Sequence, residues 1–191
     1  GVSWPASPTG LLDSDAFFTP DGLDIYNETG NNLFFDQQYQ VVGNGSRISG
    51  DAMWGNPLDF GGGYLGLDFY NINGGGVQQV DFDFAWSEAG VPAVYDFLEF
   101  YVYDSDGRSS FGGWSLSDTF TGFGGSTGYE DHISLDASMF TDDEFNLDGG
   151  AFIDISYLEI FVYEITFGGN SSEFAIDNLA TDGAGGPGGN G

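Results

Sequence analysis

Between residues 77 and 103 the chain alternates apolar and polar side chains with a period of two. Val80, Phe82, Phe84 and Trp86 share one parity, and Asp81, Asp83 and Ala85 share the other. That is the period of a strand with one buried and one wet face, so a strand is predicted over 77–86. From Tyr95 to Tyr103, Leu98, Phe100 and Val102 fall on one face, with Phe97, Glu99, Tyr101 and Tyr103 on the other. A strand apolar on both sides belongs inside a sheet. Residues 152–167, FIDISYLEIFVYEITF, are too β-branched for a helix and read as one long strand or two joined at a bend near Ser156. Shorter strands are predicted over 23–27, 33–42, 64–70, 130–136 and 173–180.

Glycine-rich joints at Gly61–Gly63, Gly74–Gly76, Gly112–Gly113 and Gly124–Gly125 separate these runs. Eight to ten strands without helical periodicity predict an all-β fold, an antiparallel two-sheet β-sandwich of jelly-roll-like type. Two segments break the pattern. Residues 1–12, GVSWPASPTGLL, carry Pro5 and Pro8 and read as an extended N-terminal arm. Residues 183–191, GAGGPGGNG, have no side chain able to join a core and read as a glycine-rich tail. The sandwich domain is therefore expected over 13–182.

Charge narrows the partners. The 191 residues hold 30 Asp and Glu against Arg47 and Arg108, with no Lys and no Cys, for a formal net charge of −28. Binding nucleic acid requires clustered cations to displace counterions from phosphates, and none exist here. Anionic membrane surfaces are disfavoured for the same reason. No stretch approaches 18 apolar residues, so no membrane-inserted helix is predicted. Nineteen Phe, ten Tyr and four Trp separate the chain from acidic disordered tails and supply a sizeable core. Gly1 in place of an initiator Met fits a cleaved export signal and equally a chain trimmed in some other way.

Residues 173–179, EFAIDNL, resemble the closing strand of jelly-roll carbohydrate-binding modules. They also resemble that of exported bacterial proteins bearing PEP-CTERM sorting signals, in which a Gly-rich spacer such as Gly183–Gly191 follows. The resemblance to the binding modules implies that Asp177 ligates a structural calcium near the chain ends.

Residue chemistry also points to calcium, which takes six to eight oxygen ligands from flexible Asp- and Gly-rich turns. Asp104-Ser105-Asp106-Gly107 is the best local candidate, followed by Asp13-Ser14-Asp15 and Asp142-Asp143-Glu144. Candidate ligands are thus Asp104, Asp106, Asp177, Asp13 and Asp15. Asn27, Asn44 and Asn170 each open an Asn-x-Ser/Thr glycosylation pattern.

Enzymatic readings are weak. With no Cys and one His, a serine triad would have to use His132, whose Glu130-Asp131-His132-Ile133 setting reads as a hydrogen-bonded surface histidine on a strand edge. A carboxylate pair for glycoside hydrolysis is available in Glu99 and Glu159, beside Tyr101, Tyr103, Phe161 and Tyr163. No Glu-x-Asp-x-Glu strand motif accompanies them.

Aromatic side chains offer a binding role instead, because sugars stack their CH faces on such rings. Trp114, within the glycine-rich SSFGGWSLSDTFTGFGG stretch read as a loop, is the leading candidate together with Tyr101 and Tyr103. Trp54, Trp86 and Tyr70 are further candidates that a sandwich core would also claim. The chain is therefore read as an exported, non-enzymatic structural or surface protein, extracellular in location. Strand addition by its N-terminal arm would link copies into a filament. The alternative is a calcium-stabilised carbohydrate-binding module, so the expected partner is either self, as a homopolymer, or extracellular polysaccharide.

Overall fold

The computed structural model describes residues 16–18, 23–27, 32–36, 47–48, 52–56, 63–69, 75–88, 96–122, 125, 127–162 and 172–182. Twelve strands run through them: β1 (Ala16–Phe18), β2 (Leu23–Asn27), β3 (Asn32–Asp36), β4 (Ala52–Asn56), β5 (Gly63–Phe69), β6 (Gln79–Glu88), β7 (Phe97–Tyr103), β8 (Ser109–Ser115), β9 (Asp118–Thr121), β10 (Thr127–Asp136), β11 (Tyr157–Val162) and β12 (Ser172–Thr181). They form two six-stranded antiparallel sheets in the orders β1-β2-β5-β11-β7-β8 and β3-β4-β12-β6-β10-β9. The protein is an all-β, jelly-roll-like sandwich, as the alternation predicted.

The core follows from strand parity. Val80, Phe82, Phe84 and Trp86 of β6 point inward with Ile133 and Leu135 of β10 and Phe174 and Ile176 of β12. Leu98, Phe100 and Val102 of β7 meet them from the other sheet, beside Leu158 and Ile160 of β11. Each fully buried ring of this kind contributes roughly 1.5–3 kcal/mol by leaving water. The Phe84 and Phe174 rings stack across neighbouring strands at 6.3 Å.

Several expectations change. The 152–167 run is interrupted where a bend was expected: Ile155 makes an isolated bridge to Val77, and β11 begins only at Tyr157. The outer face of β6 is not simply wet, since Ala85 and Ser87 are buried and Asp83 nearly so. Ala52, Ala85 and Ala175 leave a shallow trough on this sheet, which Ile48 and Phe120 fill as a second small core. His132 lies in β10 beyond the stretch paired with β9, which ends at Glu130, so its ladder partner is Asp83 of β6 on one side and, among the described residues, the strand edge is open on the other.

The glycine-rich stretch read as a loop is β8 and β9. Glycine counts as a strand breaker from sequence, but here the missing side chains make room for rings of the neighbouring strand. A Cβ on Gly112 would press into the Phe100 ring, and one on Gly113 into the Phe97 ring. Residues 1–12 and 183–191, on which the filament expectation rests, lie outside the described residues, as do Asp13, Asp15, Asn44, Tyr70, Tyr163 and Asn170.

Gly112→Ala tests this close approach. Overpacking against the buried Phe100 ring is expected to cost about 1–3 kcal/mol, read as a lowered midpoint of urea denaturation with unchanged slope.

Candidate functional site

An aromatic face covers the outside of the first sheet. The parity that buries Leu98, Phe100 and Val102 turns Tyr101 and Tyr103 outward, and the register sets Tyr101 opposite Phe111 of β8 and Glu159 of β11. Tyr101 is the hub: its ring centroid lies 5.1 Å from Phe111, 5.4 Å from Phe161 and 5.6 Å from Phe145. Tyr103 extends the surface to Tyr157 at 5.6 Å and lies nearly parallel to Phe145 at 6.4 Å. Six rings thus adjoin one another on one sheet face. Phe111 is 40% and Phe145 67% exposed, so the surface is open to solvent.

Glycine and carboxylate set its floor and polarity. Gly66 of β5 pairs with Glu159, and a Cβ there would collide with the Tyr157 phenol, so the hydroxyl end of that ring sits over the β5 backbone. The Tyr103 hydroxyl donates to Glu159 Oε2 at 3.3 Å. Glu99 shares the outward parity of Tyr101 and is half-buried. The face therefore combines flat apolar rings with carboxylate acceptors, the pairing that holds sugar CH faces and hydroxyls.

Phe145 reaches the face from a connection, not a strand. The segment 140–152 folds back on β8, where Asp143 and Glu144 donate their amides to the Ser109 carbonyl at 3.0 and 3.2 Å. The Phe145 amide donates to Ser109 Oγ at 3.0 Å. Buried Asp142 fixes the same segment by accepting from the amides of Ser109 and Asp148, at 3.2 and 2.6 Å.

Among the predicted ligands, Tyr101 and Tyr103 come together and Trp114 does not. Register places Trp114 opposite Leu98, an inward position at the rim, where it packs against the core and donates Nε1 to Asp131 Oδ2 at 3.4 Å. Treating 109–125 as a loop hid that parity. Trp86 is a core residue at 5% exposure. Trp54 lies in β4, on the second sheet. Phe111, Phe145 and Tyr157 were missed. Alternation through β8 would have found Phe111, whereas nothing local in Asp142-Asp143-Glu144-Phe145 marks the phenylalanine.

Among the described residues, the acidic turns at Asp104 and Asp142 are engaged by donors of the chain itself. Asp104 is buried, and its Oδ1 accepts from the amides of Asp106 and Arg108, at 3.0 and 2.8 Å. Its Oδ2 takes Arg108 Nη1 at 3.1 Å and the Ile153 amide at 3.3 Å. Arg108 also reaches Asp106 and Asp148, so a guanidinium lies among the carboxylates of this turn. The Asp104 hydrogen bond raises the Arg108 pKa further. The Gly150 amide, aided by Arg108, holds Asp148 below the usual carboxylate range. Asp177 is buried and accepts the Asn178 amide at 2.7 Å, next to a bulge where Asn178 has φ 52°. Among the described residues, no group of three or more His, Asp or Glu is arranged to hold a metal ion. Asn27 closes β2.

His132 lies on the opposite sheet. Its Nδ1 is 2.9 Å from Asp83 Oδ1 and its Nε2 is 4.0 Å from Asp81 Oδ1, so carboxylates face both ring nitrogens. This agrees with a hydrogen-bonded surface histidine. Asp83 also accepts from Asn178 Nδ2 at 2.7 Å and lies 3.7 Å from Arg47, whose guanidinium pairs with Asp118 as well. Burial pushes the Glu130 carboxyl up, against the opposing hydrogen bond from the Arg47 amide. For Asp131 burial acts in the same direction. It is outweighed by donors from Ser117, His132 and Trp114, and the pKa falls below the ordinary value.

Two predictions follow from these carboxylates. Asp104→Ala strands three backbone amides and a guanidinium and is expected to cost at least about 2 kcal/mol, measured by chemical denaturation. The folded state binds the Glu130 proton more tightly than the unfolded chain, whose pKa is the ordinary 4.5. Stability from that proton is complete below this value and is lost as pH rises through the higher folded pKa. Glu130→Gln removes the loss, so its melting temperature should gain on the wild type between pH 4 and pH 7. A change in the opposite direction would show that the Arg47 interactions outweigh burial.

No family model and no curated protein matches the chain. Solved structures do. The chain is similar to a non-crystalline-cellulose-specific carbohydrate-binding module of family 28, with TM-score 0.46, 14% identity, and coverage of 92% of this chain and 97% of that one. It is similar to a family 11 module from Clostridium thermocellum in complex with a β-1,3-1,4-mixed-linked tetrasaccharide, with TM-score 0.43, 15% identity and coverage of 92% and 95%. A family 29 carbohydrate-binding module gives TM-score 0.42, 18% identity and coverage of 88% and 84%.

Proposed function

We propose that this protein is a non-catalytic, exported carbohydrate-binding β-sandwich that holds a polysaccharide chain across the outer face of its first sheet. The observation that carries the reading is the contiguous surface of six rings centred on Tyr101, open to solvent and bordered by Glu99 and Glu159. A soluble acidic sandwich has a ready use for interior rings, but rings stacked side by side on an outer face do not fill its core. An extended glycan presents successive flat CH faces that match such a surface, while its hydroxyls donate to carboxylates.

The rings lie on rigid strands, and the loop that adds Phe145 is fixed by Ser109 and Asp142. Little ordering is therefore left to oppose binding. Glu99 and Glu159 are read as hydroxyl acceptors and not as an acid–nucleophile pair, since Glu159 already accepts the Tyr103 hydroxyl.

The test is affinity electrophoresis and calorimetry against soluble polysaccharides. Tyr101→Ala is expected to weaken binding at least about 10-fold, equivalent to about 1.4 kcal/mol, and Phe145→Ala somewhat less. Trp114→Phe should leave affinity unchanged. Sedimentation showing oligomers of the wild type that disappear in Tyr101→Ala, without any glycan binding, would assign the face to a second copy of the chain instead. Turnover of a bound polysaccharide that Glu99→Gln abolishes would overturn the non-catalytic reading.

A further inference from the structure

The charge around the aromatic face narrows its ligand. Glu99 and Glu159 lie on the face itself, and Asp143 and Glu144 immediately precede Phe145. The chain has two cationic side chains, and both are committed elsewhere. Arg47 sits on the opposite sheet with Asp83 and Asp118, and Arg108 is held by Asp104, Asp106 and Asp148. Among the described residues the charged groups on the aromatic face are carboxylates, in a molecule of net charge −28.

Two effects then act in one direction on a cationic ligand. An ammonium over a Tyr or Phe ring is attracted by the negative face of the π system. It is also attracted by carboxylates within a few ångströms, and by the long-range field that concentrates cations near the surface. A uronate or sulfated polymer meets the reverse of the second effect with no arginine or lysine to relieve it.

Resting on the carbohydrate-binding reading, we infer that this face selects amino-sugar polymers with free amines, the β-1,4-linked glucosamine type. The ring faces stack the sugar, and Glu99 and Glu159 pair with its ammonium groups. Neutral glucans bind by stacking and hydroxyl hydrogen bonds without the ion pairs, and uronate polymers are rejected.

The experiment compares four hexasaccharides by calorimetry in one mildly acidic buffer. They are β-1,4-linked glucosamine, its fully N-acetylated form, β-1,4-linked glucose, and α-1,4-linked galacturonate. The glucosamine hexamer is expected to bind at least about 5-fold more tightly than the two neutral hexamers at low salt, with the preference shrinking as salt screens the charges. Galacturonate should not bind.

Glu99→Gln with Glu159→Gln should remove most of the preference, read as the ratio of glucosamine-hexamer to glucose-hexamer affinity. Asp81→Asn with Asp136→Asn, the same charge change on the opposite sheet, should leave the preference intact. Equal binding of glucosamine and glucose hexamers, both lost in Tyr101→Ala, would overturn the charge selection and leave the carbohydrate-binding reading standing. Glucosamine binding that survives both Tyr101→Ala and the glutamate pair would show general attraction to an acidic protein and overturn the inference. No binding by any hexamer would overturn the inference and count against the reading beneath it.

Discussion

Buried carboxylates that accept backbone amides are the interaction on which the arrangement of this sandwich depends. A turn leaves amides without ladder partners, and an unsatisfied buried amide is costly. Here Asp104, Asp142 and Asp154 take those amides at the end of the sandwich where β7 turns into β8. Asp154 accepts from Ser105 and from Gly76, tying three separate segments together. With its amides so engaged, the 140–156 connection has one course over β8, and that course carries Phe145 onto Tyr101 and Tyr103.

The same chemistry reconciles a charge of −28 with a compact fold. A carboxylate that receives two or three N–H donors is stabilised without a cation, so many acids are tolerated inside loops where they would otherwise repel. The two arginines then stand where carboxylates converge. Arg108 meets Asp104, Asp106 and Asp148, and Arg47 meets Asp83 and Asp118 while its amide serves Glu130. Asp104 is nearly inaccessible, so its pairing with Arg108 and three amides is a condition of folding more than a gain in stability.

The two outer faces of the sandwich are unlike. On the second sheet, Ala85 and Ala175 make a trough that Ile48 and Phe120 close, and the polar positions around it pair among themselves. On the first sheet large rings stand outward at Tyr101, Tyr103, Phe111 and Phe161. Among the described residues, the second sheet's face is covered by Ile48 and Phe120 while the first carries the exposed Phe111 and Phe145, which is why the functional surface is assigned to the first.

Alternation alone determined the class of fold, the core parity of β6 and β7, and the outward placement of Tyr101 and Tyr103. Those features follow from a period of two within single strands, which needs no partner to be read. Pairing decided the rest. Gly112 and Gly113 read as breakers until the rings of Phe100 and Phe97 across the ladder explain them, and with them go the parity of Trp114 and the exposure of Phe111. Asp104 accepts from its own turn and from Arg108, but the last of its donors, the Ile153 amide, arrives from 49 residues away. Phe145 joins the aromatic face because Ser109 and Asp142 hold a distant connection against β8. A contact of that kind leaves no period in the sequence, so only the tertiary structure brings the sixth ring to the site.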